Sequence, residues 1–499
     1  MPSKARILIA SVFAVVSATT GAATPTTDEA EAAAPTFEDC TIGDGRTRVA
    51  AQCADIAVPL DHEVPDGATL MLAVARLPGR DRGSDEPAFT LIAGGPGQSA
   101  RDSWAGVAFA FRHIARDRDV ILVDQRGTGG SAKLACPETD TAADAALDAP
   151  IDLSPVQSAD RARDCLASLE HDPRLFTSSV SVRDLEHVRA RLGVSSWHLY
   201  GVSYGTRVAQ HYARRYPERV RTMILDAVVP PDRALGPEVA PFADRALDLV
   251  FARCAADTDC NARFPSIGSR TRAWLKALRA EPISLTFEDL ALGGARRTTF
   301  TADRLAALLR LTTYNAMTAA LLPSMLDAAI EQGDVAPLVR QVELQARQLG
   351  DTLASGMQYA VVCTEDAPRM AADAAADSLD TYLGPGLVEA LRASCKDWPA
   401  GRIDPDFFER LESDIPTLLL SGEADPITPP AYGQRVTDAL TRARHVVVPA
   451  QGHMQAALGC MPVLMARFVA SADPASLDTD CLERLVAPPF FIDANGPMP

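Results

Sequence analysis

The chain reads as an α/β protein, a mostly parallel sheet flanked by helices with a largely helical cap inserted between late strands. Three observations point there. Short apolar runs alternate with longer helical patterns. Most of those runs end in glycine, aspartate or proline, and the strand rhythm stops between about Pro231 and Glu412 before resuming. Alternation of this kind marks βαβ units.

The strand candidates are ADIAVPL, TLMLAVARLP, AFTLIAGGPG, DVILVDQRGTGG, WHLYGVSYG and RTMILDAVVP, then PTLLLSGEADP at 416–426 and RHVVVPAQGH at 444–453. Between them, SVRDLEHVRARLG (181–193) places Val182, Leu185, Val188 and Leu192 at helical spacing, with Gly193 as a stop. TRVAQHYARRYP (206–217) is a second helix. The stretch rich in Ala, Leu and Arg includes TADRLAALLRLTTYNAMTAALLPSMLDAAIEQG, read as helix, and FEDLALGGARRTTFTA, read as a small hairpin. The expected organisation is a core at 37–230, a helical cap at 231–412, and core plus tail at 413–499.

Ahead of the core, Lys4 and Arg6 precede an apolar run from Ile7 to about Ala18, and Gly21-Ala22-Ala23 follow. This reads as a secretory signal peptide over 1–23 cut near Ala23; a retained N-terminal anchor is the alternative. The run is short for a membrane span, and no stable membrane insertion is expected after cleavage. Residues 24–36 form a small, polar, acidic, flexible lead-in. Loss of Lys4 and Arg6 would take the formal charge from −17 to −19. An acidic chain lacks the basic footprint that nucleic acid requires. Localisation is therefore expected to be periplasmic or secreted. The ten cysteines fit an oxidising compartment. Neighbour pairing is the simplest arrangement: Cys40–Cys53, Cys136–Cys165, Cys254–Cys260, Cys363–Cys395 and Cys460–Cys481, although sequence leaves connectivity open. No CxxC or HxxxH spacing suggests a metal.

The chemistry centres on Gly201-Val202-Ser203-Tyr204-Gly205, which follows an apolar strand and precedes an amphipathic helix. A strand-to-helix turn of this type exposes the serine above the sheet edge, and the glycines let strand and helix approach. A serine hydroxyl needs a base, and the base an orienting carboxylate, in chain order Ser, acid, His. His211, His445 and His453 remain after Ser203. His211 lies within the following helix and His445 at the start of a strand, so His453, in a glycine loop after that strand, is the base. Asp425 is the acid, with Glu423 in reserve. The oxyanion donors would be the Tyr204 N–H and one from the LIAGGPGQS loop, Gly95 ahead of Gly94.

AGGPG, DQRGTGGS, GVSYG, Asp425 and His453 together resemble the α/β-hydrolase serine peptidases of the prolyl iminopeptidase and tripeptidyl aminopeptidase group, over about Cys40 to Cys481. The multi-cysteine form looks more like the exported tripeptidyl branch. Ala93 departs from relatives that often carry His or Asn-Pro before the glycines, which removes a polar side chain but leaves the backbone donor. The resemblance implies a helical cap, no metal or cofactor, and release of residues or short peptides from free N-termini through an acyl-enzyme on Ser203. It also implies a carboxylate for the substrate ammonium. Glu365 and Asp366, in VVCTEDAP, are the candidates, and Arg126 is read as an organiser of its loop. A carboxylesterase with the same triad is the alternative for short esters, and an inactive binding protein of the same fold a third reading. Dehalogenase or epoxide hydrolase chemistry would need a carboxylate where Ser203 stands.

Overall fold

The computed structural model describes residues 34–43, 47–80, 86–136, 154–288, 293–493 and 496, with the backbone alone over 346–351. The expected signal peptide and almost all of the lead-in lie outside the described residues. Nine strands form one sheet: β1 (Glu38–Ile42), β2 (Val49–Pro59), β3 (Thr69–Leu77), β4 (Ala88–Ile92), β5 (Val120–Val123), β6 (Trp197–Val202), β7 (Val220–Asp226), β10 (Thr417–Gly422) and β11 (Ala443–Val448). Their spatial order is β1-β2-β3-β5-β4-β6-β7-β10-β11. The pairs from β5 through β11 are parallel, whereas β1, β2 and β3 join antiparallel at one edge.

Composition explains which strands sit centrally. Every residue of AFTLI, VILV, WHLYGV and TLLLSG is buried, as expected of strands covered on both faces. One face packs on helices Ser178–Arg191 and Tyr204–Arg215 through Val182, Leu185, Val208 and Tyr212. The other packs on Ala100–Val107 and Met461–Ser471 through Trp104, Leu464, Met465 and Phe468. Strand β1 has no apolar run in the sequence; EDCTI is a mostly exposed edge strand held by register to β2. All five neighbouring cysteine pairs are joined as disulfides.

Between β7 and β10 the chain forms helices Val239–Ala256, Ile267–Ala280, Ala302–Thr312, Leu322–Gln332 and Ala336–Thr352, with a hairpin of β8 (Ile283–Glu288) and β9 (Ala295–Phe300). They share their own apolar cluster, including Leu247, Phe251, Phe300, Leu309 and Leu326. The long helical reading over 301–333 is corrected in one respect. It breaks into Ala302–Thr312, Ala316–Ala319 and Leu322–Gln332. Asn315 starts the second piece by accepting the Met317 N–H at 2.8 Å, and Pro323 sits in the first turn of the third. Asparagine caps and first-turn prolines favour new helix starts. The break places Tyr314 in a turn facing the end of the sheet.

Candidate active site

Ser203 follows β6 and opens helix Tyr204–Arg215 with φ 54° and ψ −125°. Such a backbone is costly for a non-glycine residue and persists only where its surroundings enforce it. Those surroundings are visible. The Ser203 N–H donates to the Asp226 carbonyl at 2.9 Å. A Cβ at Gly201 would lie 2.6 Å from the Gly205 carbonyl oxygen, and one at Gly205 would lie 2.1 Å from the Ile92 carbonyl oxygen. The two glycines thus let the helix press against the ends of β6 and β4.

His453 is 9% exposed and Asp425 wholly buried. Their Nδ1 and Oδ2 atoms lie 2.8 Å apart. Asp425 Oδ1 accepts the N–H groups of Ile427 and Thr428, each at 2.9 Å. Thr428 Oγ1 donates to Asp425 Oδ2 at 2.8 Å and lies 3.3 Å from His453 Nδ1. With Nδ1 occupied, Nε2 is the nitrogen available for proton transfer. Burial opposes the imidazolium, but the charge and hydrogen bond of Asp425, aided by Asp226, outweigh it and raise the His453 pKa. Glu423, the reserve acid, instead accepts the Ala450 N–H at 2.8 Å and braces the turn before the histidine loop. His445 meets Ser421 and His211 meets Asp404, so both are engaged elsewhere.

The sequence reading missed Asp226. Its carboxylate accepts the Gln455 and Ala456 N–H groups at 2.9 Å and the Tyr200 hydroxyl at 2.8 Å. The same residue therefore holds the serine through its carbonyl and the histidine loop through its side chain. Burial pushes its pKa up to about 6. Tyr314 was also missed: its carbonyl accepts the His453 N–H at 2.7 Å, and its ring meets the imidazole edge-on, centroids 5.1 Å apart. The only local signal was the Tyr-Asn pair inside an apparent helix.

The glycine loop lies against Ser203. A Cβ at Gly94 would come within 3.1 Å of Ser203 Cβ, and Gly95 has φ +107° beside Leu353. The Tyr204 N–H opens its helix and so has no helical acceptor. Asp124 ties this loop down, accepting Ser99 Oγ at 2.8 Å, the Arg101 N–H at 3.1 Å and the Gly130 N–H at 3.0 Å. Arg126, wholly buried, commits all five guanidinium donors to Asp184 and to the carbonyls of Pro59, Leu60 and Leu175. It organises the loop without facing the serine.

Glu365 and Asp366 are both fully buried. The Ser178 N–H and hydroxyl donate to Glu365 at 2.8 and 2.9 Å, and Ser178 Oγ lies 2.6 Å from the Tyr204 hydroxyl. Asp366 Oδ1 accepts from Arg207 at 3.0 Å and from the Leu235 N–H at 2.8 Å. Burial raises the Glu365 pKa to about 7 against the opposing pull of Arg207, 3.7 Å away. Asp366 Oδ2 has no hydrogen-bond partner among the described residues.

A family model described as the alpha/beta hydrolase fold matches residues 87–458. The chain is 30% identical over 231 residues to the serine protease Hip1 of Mycobacterium tuberculosis, covering 42% of each protein. It is 30% identical over 211 residues to the tripeptidyl aminopeptidase of Streptomyces lividans, covering 40% of this chain and 38% of that protein. Carboxylesterase B of M. tuberculosis is 29% identical over 247 residues, 46% of each. These matches span less than half the length of each relative. With a parallel sheet ending in this serine, aspartate and histidine, and a family model matching most of its length, the chain belongs to the alpha/beta hydrolase fold family.

Proposed function

We propose that the protein is an exported serine hydrolase, and specifically an aminopeptidase that releases residues or short peptides from free N-termini. The observation that carries the reading is the 2.8 Å His453–Asp425 contact on a loop fixed to the residue that also fixes Ser203. Ser203 Oγ attacks the scissile carbonyl as His453 Nε2 takes its proton. The N–H groups of Tyr204 and Gly95 hold the oxyanion, and His453 then protonates the leaving amine. Water repeats the sequence on the acyl-enzyme. Export accords with the disulfides; among the described residues no helix is long and apolar enough to cross a membrane.

The peptidase direction draws on the two peptidase relatives and on the two adjacent buried carboxyl groups of Glu365 and Asp366. A direct ammonium contact would require the Val362–Asp366 turn to open, with the free Asp366 Oδ2 as its acceptor. That burial favours, as a second reading, a carboxylesterase, the activity named for another relative. Matched peptides with free and acylated N-termini, assayed beside simple esters, separate the two. The aminopeptidase reading expects turnover of free-amine peptides, little of their acylated forms, and none by Ser203→Ala. Turnover of esters alone would overturn it.

A further inference from the structure

Several arginines between β7 and β10, Arg253 and Arg369 among them, reach carbonyls and rings in place of a carboxylate, and Arg310 is the one of these that lies against Tyr314. Arg126 is matched by Asp184, Arg207 by Asp366, and Arg270 by Asp327. Arg310, half-buried at the end of helix Ala302–Thr312, has no acidic partner among the described residues. Its guanidinium reaches only the Tyr314 hydroxyl, at 3.3 Å, and lies 5.9 Å from that ring's centroid. Nearby Tyr382, which feels the Arg310 charge, has a buried hydroxyl without a hydrogen-bond partner. Among the described residues, Arg310 thus has no acidic partner and the Tyr382 hydroxyl no hydrogen-bond partner.

Their position relative to the chemistry gives this cluster a direction. Asp425 occupies His453 Nδ1, so Nε2 hands its proton to the departing nitrogen and the leaving segment lies along the imidazole. Tyr314 packs on that same imidazole, 5.1 Å centroid to centroid, and Arg310 packs on Tyr314. A single aromatic ring therefore separates the guanidinium from the histidine. A chain leaving at about 3.3–3.6 Å per residue spans that interval within one to three residues. The planar guanidinium fork matches a carboxylate.

We infer that Arg310, with the Tyr314 hydroxyl beside it, binds a carboxylate on the leaving segment, foremost the C-terminal carboxylate of a short peptide. Arg310 is then a specificity-determining residue that selects short free peptides over long chains. This rests on the aminopeptidase reading and narrows its substrate class.

The test compares three peptides sharing one free N-terminus: a neutral leaving dipeptide as free acid, the same peptide as C-terminal amide, and an amide carrying Glu in the leaving segment. The free acid should exceed the neutral amide by about 10- to 100-fold in kcat/KM, the range of a charge-assisted hydrogen bond. Arg310→Gln should bring the ratio near one, and Arg310→Lys should keep part of it. A preference for the Glu amide over the neutral amide, lost in Arg310→Gln, would support the same site with a side-chain carboxylate as its ligand. Wild-type ratios near one for both the free acid and the Glu amide, or ratios that survive Arg310→Gln, overturn the inference and leave the aminopeptidase reading standing. Cleavage of esters but of no peptide overturns both. On the wild-type protein alone, a dipeptide acid should inhibit more strongly than its amide; equal inhibition counts against the site.

Discussion

Asp425 and Asp226 are both wholly buried near the ends of neighbouring parallel strands, yet they serve different masters. Asp425 collects two backbone N–H groups, a threonine hydroxyl and the imidazole Nδ1. Asp226 collects two N–H groups of the histidine loop and a tyrosine hydroxyl, while its carbonyl holds Ser203. One carboxylate holds the imidazole; the other ties the histidine loop to the residue whose carbonyl holds Ser203. Adjacent strand ends can therefore supply both the charge and the frame of a triad.

Substitution should separate the two roles. Asp425→Asn should cost about 10³- to 10⁴-fold in kcat, because the amide favours the wrong imidazole tautomer and leaves the imidazolium unsupported. Steady-state assays of a folded variant check this, and a loss under tenfold would return Glu423 to consideration. Asp226→Asn should cost less, about 10- to 100-fold, through loop position alone. Its signature is the acid limb of kcat/KM. His453 must be neutral to act as base, so activity falls as pH drops through its raised pKa. Asp226, titrating at about 6, adds a second proton below that point. The slope of log(kcat/KM) should steepen from one toward two below about pH 6 in the wild type and stay at one in the variant. A slope of one in both would remove the Asp226 charge from the mechanism. Thr428→Val keeps its shape and loses one hydroxyl bond to Asp425. About a 3- to 10-fold loss in kcat with KM unchanged is expected, and an unchanged kcat would show the backbone donors suffice.

The sheet was legible because buried parallel strands write themselves as apolar runs, and Ser203, Asp425 and His453 were legible as candidates because each lies within a few residues of the end of such a run. What escaped depends on side chains meeting across long separations. Asp226 reads as the end of a strand until Gln455 arrives from 229 residues away. Tyr314 sits in a stretch whose periodicity continues on either side, so only the tertiary fold reveals the break. Glu365 and Asp366 read as candidate carboxylates for a substrate ammonium; Arg207, in the helix after Ser203, lies against both. Strand β1 escaped for the opposite reason, since an exposed edge strand has no apolar signature.

The Tyr314 carbonyl that accepts the His453 N–H has a consequence for how such a protein diversifies. The cap supplies part of the histidine's own scaffold, so it cannot be traded as an independent module. A chimera with a foreign insertion between β7 and β10 would lose the Tyr314 carbonyl that holds His453 along with the old pocket. New specificities are reached more readily by replacing side chains such as Arg310 on a fixed cap backbone than by grafting whole lids.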